Sequence, residues 1–327
     1  MLPALSDIQR HCPNVQVDWV VEEAFVAIPA WHPQVRRVIP VALRRWRKQG
    51  WWKTQTRQEW QIFTRRVQHA DYDAVLDTQG LLKSAWLACY ARGKRCGYDR
   101  HSMREPLASM AYQQHFAVSR QLHAITRNRL LTAQTLGYDI QHTPLDYGIA
   151  QQTFTTFPSV VGVNFQHTAY VLALHGTSRV EKEWHETQWQ ALCAAVTAQG
   201  VAVLLPWGNA REFERAQRLA RDHPQIKVLP RCSLVELASV LQHARAVIGM
   251  DTGLMHLAAA LNQSGVALYP VTQPDLTGMC GNAAFPKTLH SIAGVDTHDT
   301  AGVIQRLLAV LSTELTPDLT PLTTARP

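Results

Sequence analysis

The chain has 327 residues, of which 46% are hydrophobic and 17% are charged. This composition predicts packed domains rather than a disordered chain, and the length fits two domains better than one. The formal net charge of +7 favours an acidic partner: a nucleic acid, an anionic membrane face or a phosphorylated substrate.

Short apolar runs alternate along the chain with longer stretches of helical periodicity, which is typical of parallel α/β architecture. In the first half, strands are predicted at 15–21, 38–40 and 74–77, and helices at 57–69 and 81–92. In the second half, strands are predicted at 170–175, 201–205, 227–229, 246–249 and 266–269, and helices at 186–199, 212–221, 234–243, 253–261 and 300–311. Two α/β domains are therefore expected.

A stretch rich in Gln, Thr, Pro and Gly at 147–167 interrupts this alternation and predicts the domain boundary. We expect an N-terminal domain at 1–150 and a C-terminal domain at 151–311. The Thr- and Pro-rich segment 312–327 is expected to be a disordered tail.

The sequence also indicates where the protein works. It has no apolar run long enough to span a bilayer, and its first residues lack the basic start and apolar stretch of a signal peptide. The six cysteines are scattered, without a CxxC pair or a histidine at metal-ligand spacing. They predict free thiols in a reducing cytoplasm and no metal site. We expect a cytoplasmic protein that rests against a membrane.

The segment GMDTGLMH at 249–256 joins a predicted strand to a helix of small residues. The start of such a helix presents free backbone N–H groups and a positive dipole end, which suit a phosphate. Asp251, Thr252, Gly253 and His256 are therefore candidate ligand-binding residues. Alternatively, Asp251 only caps the helix and His256 is a packed polar residue.

A second candidate segment, HGTSR at 175–179, follows another predicted strand. The hydroxyls of Thr177 and Ser178 can wrap phosphate oxygens, and Lys182 can neutralise charge on a departing diphosphate. Beyond the next strand, the carboxylate of Glu212 can accept hydrogen bonds from sugar hydroxyls. The alternatives are an ordinary surface turn and a glutamate that only favours the helix dipole.

A basic run lies between residues 36 and 66, where ten cations stand against one acid, Glu59, with four tryptophans interleaved. This pattern predicts a surface for phosphates and carboxylates, with the tryptophans at an interface. A nucleic-acid surface or a solvated helix face would look similar.

Six segments together resemble glycosyltransferase family 9, the heptosyltransferases. They are VDWVVEEAFVAIPAWHPQVRRVIPVALRRWRK at 17–48, YDAVLDTQGLLKSA at 72–85, MREPLAS at 103–109, HGTSRVEKEW at 175–184, LPWGNAREFERA at 205–216 and GMDTGLMHLAAAL at 249–261. The resemblance runs from residue 2 to about residue 311, and the motif D-[TS]-G-L-x-H is characteristic of the family.

The resemblance implies a GT-B fold, in which two Rossmann-like domains face each other across a cleft. It implies inverting, metal-independent transfer of heptose from ADP-L-glycero-β-D-manno-heptose, without a cofactor. The implied acceptor is Kdo of the lipopolysaccharide inner core (Kdo2-lipid A), reached from the cytoplasmic face of the inner membrane, and no nucleic acid is expected. The alternative within the family is the enzyme that acts on an already heptosylated core.

The resemblance also assigns roles to single residues. It implies that Thr177, Ser178 and Lys182 bind the donor diphosphate, with Lys182 stabilising it as it leaves, and that Glu212 contacts the adenosine ribose. The residues implied for the heptose and its phosphates are Asp251, Thr252, Gly253 and His256. Those implied for the acidic acceptor are Arg44, Arg45, Arg47, Lys48 and Arg104.

The first residues depart from the family pattern. Family members begin with a strand and a loop ending in Gly-Asp, directly before a helix like Leu2-Pro3-Ala4-Leu5, which here follows Met1. We therefore expect this chain to lack a strand from the centre of the N-terminal sheet, together with the aspartate that acts as general base. No other acid is marked for that role, although Asp77 and Glu22 are candidates. A truncated form that binds ADP-sugar without catalysis is an alternative.

Overall fold

The computed structural model describes residues 1–177, 179–283 and 286–315, and these divide into two compact units. Unit 1 contains Met1–Gln152 and short pieces near residues 275–283, and unit 2 contains Thr153–Pro274 and most of the later residues. The division falls within the stretch predicted to be the domain boundary. Both units have parallel strands with helices between them, so the predicted α/β class is confirmed.

Unit 1 has five strands in two separate parallel sheets. The strands are β1 (Val17–Glu22), β2 (Val35–Val41), β3 (Asp71–Asp77), β4 (Arg92–Tyr98) and β5 (Gln114–Phe116). The helices are α1 (Leu2–His11), α2 (Ala27–Ala30), α3 (Leu43–Gln49), α4 (Thr54–Val67), α5 (Leu82–Ala88) and α6 (Ala124–Leu136). β1 pairs with β2, and β3, β4 and β5 pair in that order.

Within the described residues of unit 1, no backbone pairing joins β1 to β3. A cavity of about 470 Å³ is lined by both strands and by the start of α1. At one end of it, Tyr72 Oη of β3 donates a hydrogen bond to Asp18 Oδ2 of β1 at 2.8 Å. Side chains therefore connect the two sheets of this unit where strand pairing does not.

Unit 2 is built on one parallel sheet of six strands. The strands are β6 (Tyr170–Leu174), β7 (Ala202–Leu205), β8 (Ile226–Val228), β9 (Ala246–Met250), β10 (Gly265–Tyr269) and β11 (Leu289–Ala293). The helices are α7 (Glu186–Thr197), α8 (Ala210–Ala220), α9 (Leu234–Gln242), α10 (Gly253–Ala260), α11 (Pro274–Thr277) and α12 (Thr300–Leu315). The strands lie in the order β8-β7-β6-β9-β10-β11, and β6, β9 and β10 are buried along their whole length.

The last helix is longer than predicted. α12 reaches Leu315, four residues into the segment 312–327 that the sequence predicts to be a disordered tail. The remainder of that segment, 316–327, lies outside the described residues. Among the described helices, none combines the length and apolar character needed to cross a bilayer.

His32 in unit 1 makes stability depend on pH. It is 1% exposed, its Nδ1 accepts the N–H of Gln34 at 3.1 Å, and its Nε2 is 3.1 Å from Ser6 Oγ. Burial lowers the pKa of His32 from 6.5 to about 4, so the folded state favours the neutral ring. The contribution of neutral His32 to the free energy of unfolding is complete above pH 6.5 and is lost as the pH falls towards 4. For a pKa shift of this size, the loss amounts to about 3 kcal/mol.

We expect His32→Gln to show a smaller loss of unfolding free energy between pH 6.5 and 4 than the parent chain, because glutamine has no proton to take up. Urea titrations across that range measure the difference. His69→Gln, at an exposed position, is the matched control and should leave the slope unchanged. Equal slopes for the parent chain and His32→Gln would contradict the prediction.

Candidate functional site

The strand order of unit 2 places a ligand site at the middle of its sheet. The chain begins at β6, proceeds outward through β7 to β8, and then returns to β9 on the other side of β6. In such a doubly wound sheet, ligands bind at the carboxyl ends of the two strands beside the reversal. β6 ends at Leu174 and β9 ends at Met250. The segments that follow these strands are the two that the sequence marks as phosphate-binding.

These two segments are joined by an ion pair. Lys182 Nζ lies 2.8 Å from Asp251 Oδ2, and both side chains are largely withdrawn from solvent. Thr272 Oγ1, just beyond β10, donates a hydrogen bond to the same carboxylate oxygen at 2.8 Å. Thr272 carries no recognisable signal in the sequence, because it is 21 residues from Asp251 along the chain. The ion pair holds the ammonium group of Lys182 at the reversal point. A ligand phosphate bound there would compete with Asp251 for this ammonium group.

Asp251 does not cap α10, so the alternative role considered for it is wrong. The N-cap residue is Thr252, and its side chain makes no capping hydrogen bond. The carboxylate of Asp251 instead binds Lys182 and Thr272. His256 lies one turn into α10 and is half-buried, and an added Cβ on Gly253 would meet nothing within 4 Å.

Two buried hydroxyls follow the two strands beside the reversal. Thr177 Oγ1 follows β6 and Thr252 Oγ1 follows β9, and neither has a hydrogen-bond partner within the part of the chain that is described. Burying a hydroxyl without a partner costs free energy, so a water or a ligand is expected to supply the missing bond. Ser178, predicted beside Thr177, lies outside the described residues.

Glu212 lies against the loop that follows β6. Its Oε2 accepts the N–H of Gly208 at 2.7 Å, and its own N–H donates to Asn209 Oδ1, the N-cap of α8. A Cβ added to Gly176 would lie 2.5 Å from the carboxyl carbon of Glu212, so any side chain at residue 176 would displace this carboxylate. The carboxylate is thus positioned beside the loop that carries Thr177.

A buried polar cluster that sequence analysis did not mark supports the same loop. Arg215 donates from Nε to His175 Nδ1 at 3.1 Å and from Nη2 to the carbonyl of His175 at 2.6 Å. Arg215 also pairs with Glu183 at 3.0 Å. Burial, and then the charge of Arg215, lowers the pKa of His175 to about 3, so the ring stays neutral and accepts this bond. Through its bond to the carbonyl of His175, Arg215 fixes the backbone at the start of the loop after β6.

The predicted acceptor cations of unit 1 fall into two groups. Arg44, Arg47 and Lys48 are exposed on α3, and Arg104 is exposed on the loop after β4. Among the described residues, none of these four takes part in an ion pair. No hydrogen bond or ion pair among the residues that the structure describes connects Arg104 to α3.

Arg45 differs from its neighbours because its guanidinium is already engaged. It pairs with Glu23 at 2.8 Å and with Glu59 at 2.7 Å, and Trp46 Nε1 donates to Glu59 at 2.6 Å. The hydrogen bonds from Arg45 and Trp46 lower the pKa of Glu59 to about 2. Arg45 therefore holds α3 against α4.

Both candidates for an alternative base accept hydrogen bonds from within unit 1. Asp77 is buried and accepts hydrogen bonds from Tyr112 Oη at 2.7 Å and from the N–H of Gln79 at 2.8 Å. Glu22 Oε1 accepts the backbone N–H of Arg44 at 3.0 Å. Both carboxylates serve the fold of unit 1.

This chain is similar to known heptosyltransferases in sequence. The family model for glycosyltransferase family 9 (heptosyltransferase) matches residues 60–293. The chain is 47% identical to lipopolysaccharide heptosyltransferase 1 of Pseudomonas aeruginosa, over 86% of this chain and 78% of that protein. It is 44% identical to lipopolysaccharide heptosyltransferase 1 of Escherichia coli, over 86% of each.

Solved structures agree with the sequence comparisons. The E. coli heptosyltransferase WaaC with ADP matches with a TM-score of 0.83 and 40% identity, over 93% of this chain and 94% of that one. The E. coli ADP-heptose lps heptosyltransferase II matches with a TM-score of 0.69 over 96% of this chain and 95% of that one. The two sequences are 19% identical, so this match supports only the fold. The predicted GT-B fold is confirmed by these matches.

Proposed function

The chain belongs to glycosyltransferase family 9, and we propose that it acts as heptosyltransferase I. The reaction proposed is transfer of heptose from ADP-L-glycero-β-D-manno-heptose to Kdo of Kdo2-lipid A, with inversion and without a metal or cofactor. The observation that carries the proposal is the ion pair of Lys182 and Asp251 at the reversal point of the sheet in unit 2, together with the buried hydroxyls of Thr177 and Thr252, which have no hydrogen-bond partner among the described residues. The relative solved with ADP-2-deoxy-2-fluoro heptose supports an ADP-sugar donor.

The donor diphosphate would occupy the reversal point. Thr177 and Thr252 donate hydrogen bonds to its oxygens, Ser178 adds another hydroxyl, and the N-terminus of α10 at Gly253 presents backbone N–H groups. Glu212 accepts hydrogen bonds from the adenosine ribose. Asp251 accepts hydrogen bonds from the heptose hydroxyls, and His256 contacts the adjoining phosphate.

Inversion follows from a single displacement. The Kdo hydroxyl attacks the anomeric carbon of the heptose from the face opposite the diphosphate, the carbon–oxygen bond to the β-phosphate breaks, and ADP departs with both electrons. Lys182 stabilises the negative charge that grows on the departing phosphate, which is the contribution a metal ion makes in other transferases. The acceptor proton passes to a base that we assign to neither Asp77 nor Glu22, because both are engaged in the fold.

The acceptor is acidic, and the exposed cations of unit 1 suit it. Arg44, Arg47, Lys48 and Arg104 are proposed to bind the Kdo carboxylates and lipid A phosphates, for which guanidinium groups are well shaped. Arg45 is proposed to position α3 through its two ion pairs rather than to bind the acceptor directly. Because Kdo2-lipid A is a membrane lipid, we propose that the enzyme works at the cytoplasmic face of the inner membrane.

A transfer assay with ADP-heptose and Kdo2-lipid A tests the proposal. We expect a heptosylated product whose new linkage is inverted relative to the donor, as judged by proton NMR, at a rate that EDTA does not change. A retained configuration or loss of activity with EDTA would refute the mechanism. A preference for heptosylated Kdo2-lipid A would favour heptosyltransferase II, and ADP-heptose binding without transfer would favour the non-catalytic alternative.

Thr177→Val should weaken ADP binding about tenfold without lowering the Tm of the free protein. Valine keeps the shape of threonine and removes a hydroxyl that has no partner in the described part of the free protein, so the fold loses no hydrogen bond. Calorimetric titration with ADP and thermal unfolding measure the two effects. Thr197→Val, at the end of α7, is a matched control that should leave ADP affinity unchanged. A fall in Tm with unchanged affinity would show a purely structural role for Thr177.

Replacing Arg47 and Lys48 together by alanine should raise the KM for Kdo2-lipid A by about 30-fold, because two charge-assisted contacts are lost. Both side chains are exposed, so the fold and the affinity for ADP should not change. Arg65→Ala with Arg66→Ala, at exposed positions late in α4, is the matched control. An unchanged KM in the Arg47/Lys48 variant would exclude these two residues from the acceptor site.

A further inference from the structure

Unit 1 carries an exposed apolar surface next to its basic helix. We call it the aromatic ledge and define it by Trp51, Trp52, Leu82 and Trp86. Trp52 is 76% exposed, Leu82 50%, and Trp51 and Trp86 40% each. Leu82 and Trp86 lie one turn apart on α5, and the ring of Trp86 lies 5.9 Å from that of Trp51. Trp51, Leu82 and Trp86 therefore belong to one surface formed by two separate segments, and the exposed Trp52 follows Trp51 directly in the chain.

The ledge is supported from below by a packed aromatic cluster. Trp60 stacks on Trp86 at 4.6 Å, and its ring also meets that of Trp51 edge-on at 5.8 Å. Trp46, buried beneath them, is fixed by its hydrogen bond to Glu59. A cluster this well packed would hold the exposed rings in place without any partner.

Gly50 sets the position of the most exposed ring. Its φ is +99°, a conformation that favours glycine, and a Cβ added there would lie 2.7 Å from the ring of Trp52. The chain thus turns sharply at residue 50 and lays Trp52 over the turn. Lys53 and the start of α4 follow directly.

The charge around the ledge is mainly positive. The segment 44–58 contains no aspartate or glutamate. Its exposed cations, with the exposed lysine of α5, are Arg44, Arg47, Lys48, Lys53, Arg57 and Lys83. Glu105 lies at the border, where its carboxylate accepts the N–H of Leu82. Indole rings and an aliphatic side chain bordered by cations are the pattern of a surface that enters the headgroup region of an anionic bilayer.

We propose that the aromatic ledge is the surface by which this protein docks on anionic phospholipid. The rings of Trp51, Trp52 and Trp86 enter the headgroup region with Leu82, while Lys53, Arg57 and Lys83 bind lipid phosphates. The proposal rests on the proposed function, whose acceptor is a membrane lipid, and it separates membrane docking from acceptor binding. A nucleic acid fits this surface less well, because Leu82 offers no stacking face and the rings of Trp51 and Trp86 are already packed against Trp60.

Vesicle sedimentation tests the ledge. With vesicles of phosphatidylglycerol and phosphatidylcholine in equal parts, at low salt, we expect the parent chain to bind, and to bind far less to pure phosphatidylcholine. Trp52→Ser should weaken binding about tenfold, because a largely exposed indole no longer enters the bilayer. Lys53→Gln with Arg57→Gln should weaken it about 25-fold, or about fivefold per cation.

Matched controls come from unit 2, where Val295 is 82% exposed and Arg306 is exposed on α12. Val295→Ser and Arg306→Gln should bind vesicles like the parent chain. All ledge variants should transfer heptose normally to a detergent-dispersed acceptor, since none of these residues is placed in the donor or acceptor site. Vesicle binding that is unchanged in the ledge variants, or tighter binding to a duplex oligonucleotide than to anionic vesicles, would overturn the docking proposal and leave the transfer activity standing. Conversely, ledge-dependent vesicle binding by a chain that transfers no heptose would support docking while contradicting the proposed function.

Discussion

Lys182→Met should lower the rate of heptose transfer by about 100-fold or more, the range expected when a preorganised charge that stabilises a developing anion is removed. Methionine keeps the apolar stem of lysine and removes only the ammonium group, so the volume of the site is preserved. The lysine is largely withdrawn from solvent and lies at the point where the sheet order reverses. A cation placed there acts most strongly when charge collects on the departing phosphate, so the loss should appear mainly in kcat.

Steady-state kinetics with ADP-heptose would measure this loss. Lys227→Met, on β8 of the same unit, is the control and should retain full activity. Thermal unfolding curves for both variants check that the fold is intact. Asp251 keeps Thr272 as a hydrogen-bond partner when Lys182 is removed, so we expect both variants to fold. If Lys182→Met changed only the KM for ADP-heptose, the lysine would bind the ground state and the proposed catalytic role would be lost.

The sheet of unit 2 is largely predictable from its sequence. Strands buried on both faces must be continuous runs of apolar residues, and YVLAL at 170–174 and AVIGM at 246–250 stand out for that reason. Since the chemistry of such a sheet lies where strands end, the segments after Leu174 and Met250 can be selected by their sequence alone. The order of the strands, which brings those two segments together, cannot be read from the sequence.

Unit 1 is less predictable because its strands depend on their neighbours. β4 has the sequence RGKRCGY, which lacks an apolar run, and its first residue falls at the end of a predicted helix. It is a strand because it pairs with β3 on one side and β5 on the other. Pairing between distant segments overrides local propensity here, as it commonly does for strands.

The site shows the same division between local and distant determinants. Sequence spacing alone leaves open whether Asp251 caps a helix, because its real partners, Lys182 and Thr272, are 69 and 21 residues away. Arg45 is grouped with its exposed neighbours in the sequence for a similar reason, since its partner Glu23 is 22 residues away. Residue type and strand ends are enough to select the candidate segments, whereas the pairing of their side chains requires the fold.

The ion pair of Lys182 and Asp251 makes a second prediction, about how the two residues act together. Asp251→Asn should lower kcat/KM for ADP-heptose by about 100-fold, because the amide no longer holds the ammonium of Lys182 in place. If Asp251 acts mainly through Lys182, the double variant Lys182→Met with Asp251→Asn should be little worse than the poorer of the two single variants. The expected coupling energy is about 2–3 kcal/mol.

A double-mutant cycle in transfer rate measures that coupling, and Thr272→Val gives it an internal check. Thr272 contacts Asp251 through one hydrogen bond, so its loss should cost about tenfold or less in the parent chain. In the Asp251→Asn background the same change should cost almost nothing, because the carboxylate that Thr272 positions is gone. If the losses in transfer rate caused by Lys182→Met and Asp251→Asn multiplied in the double variant, the two residues would act on the donor independently. In that case the ion pair would be a resting contact of the free protein with no part in placing the catalytic cation.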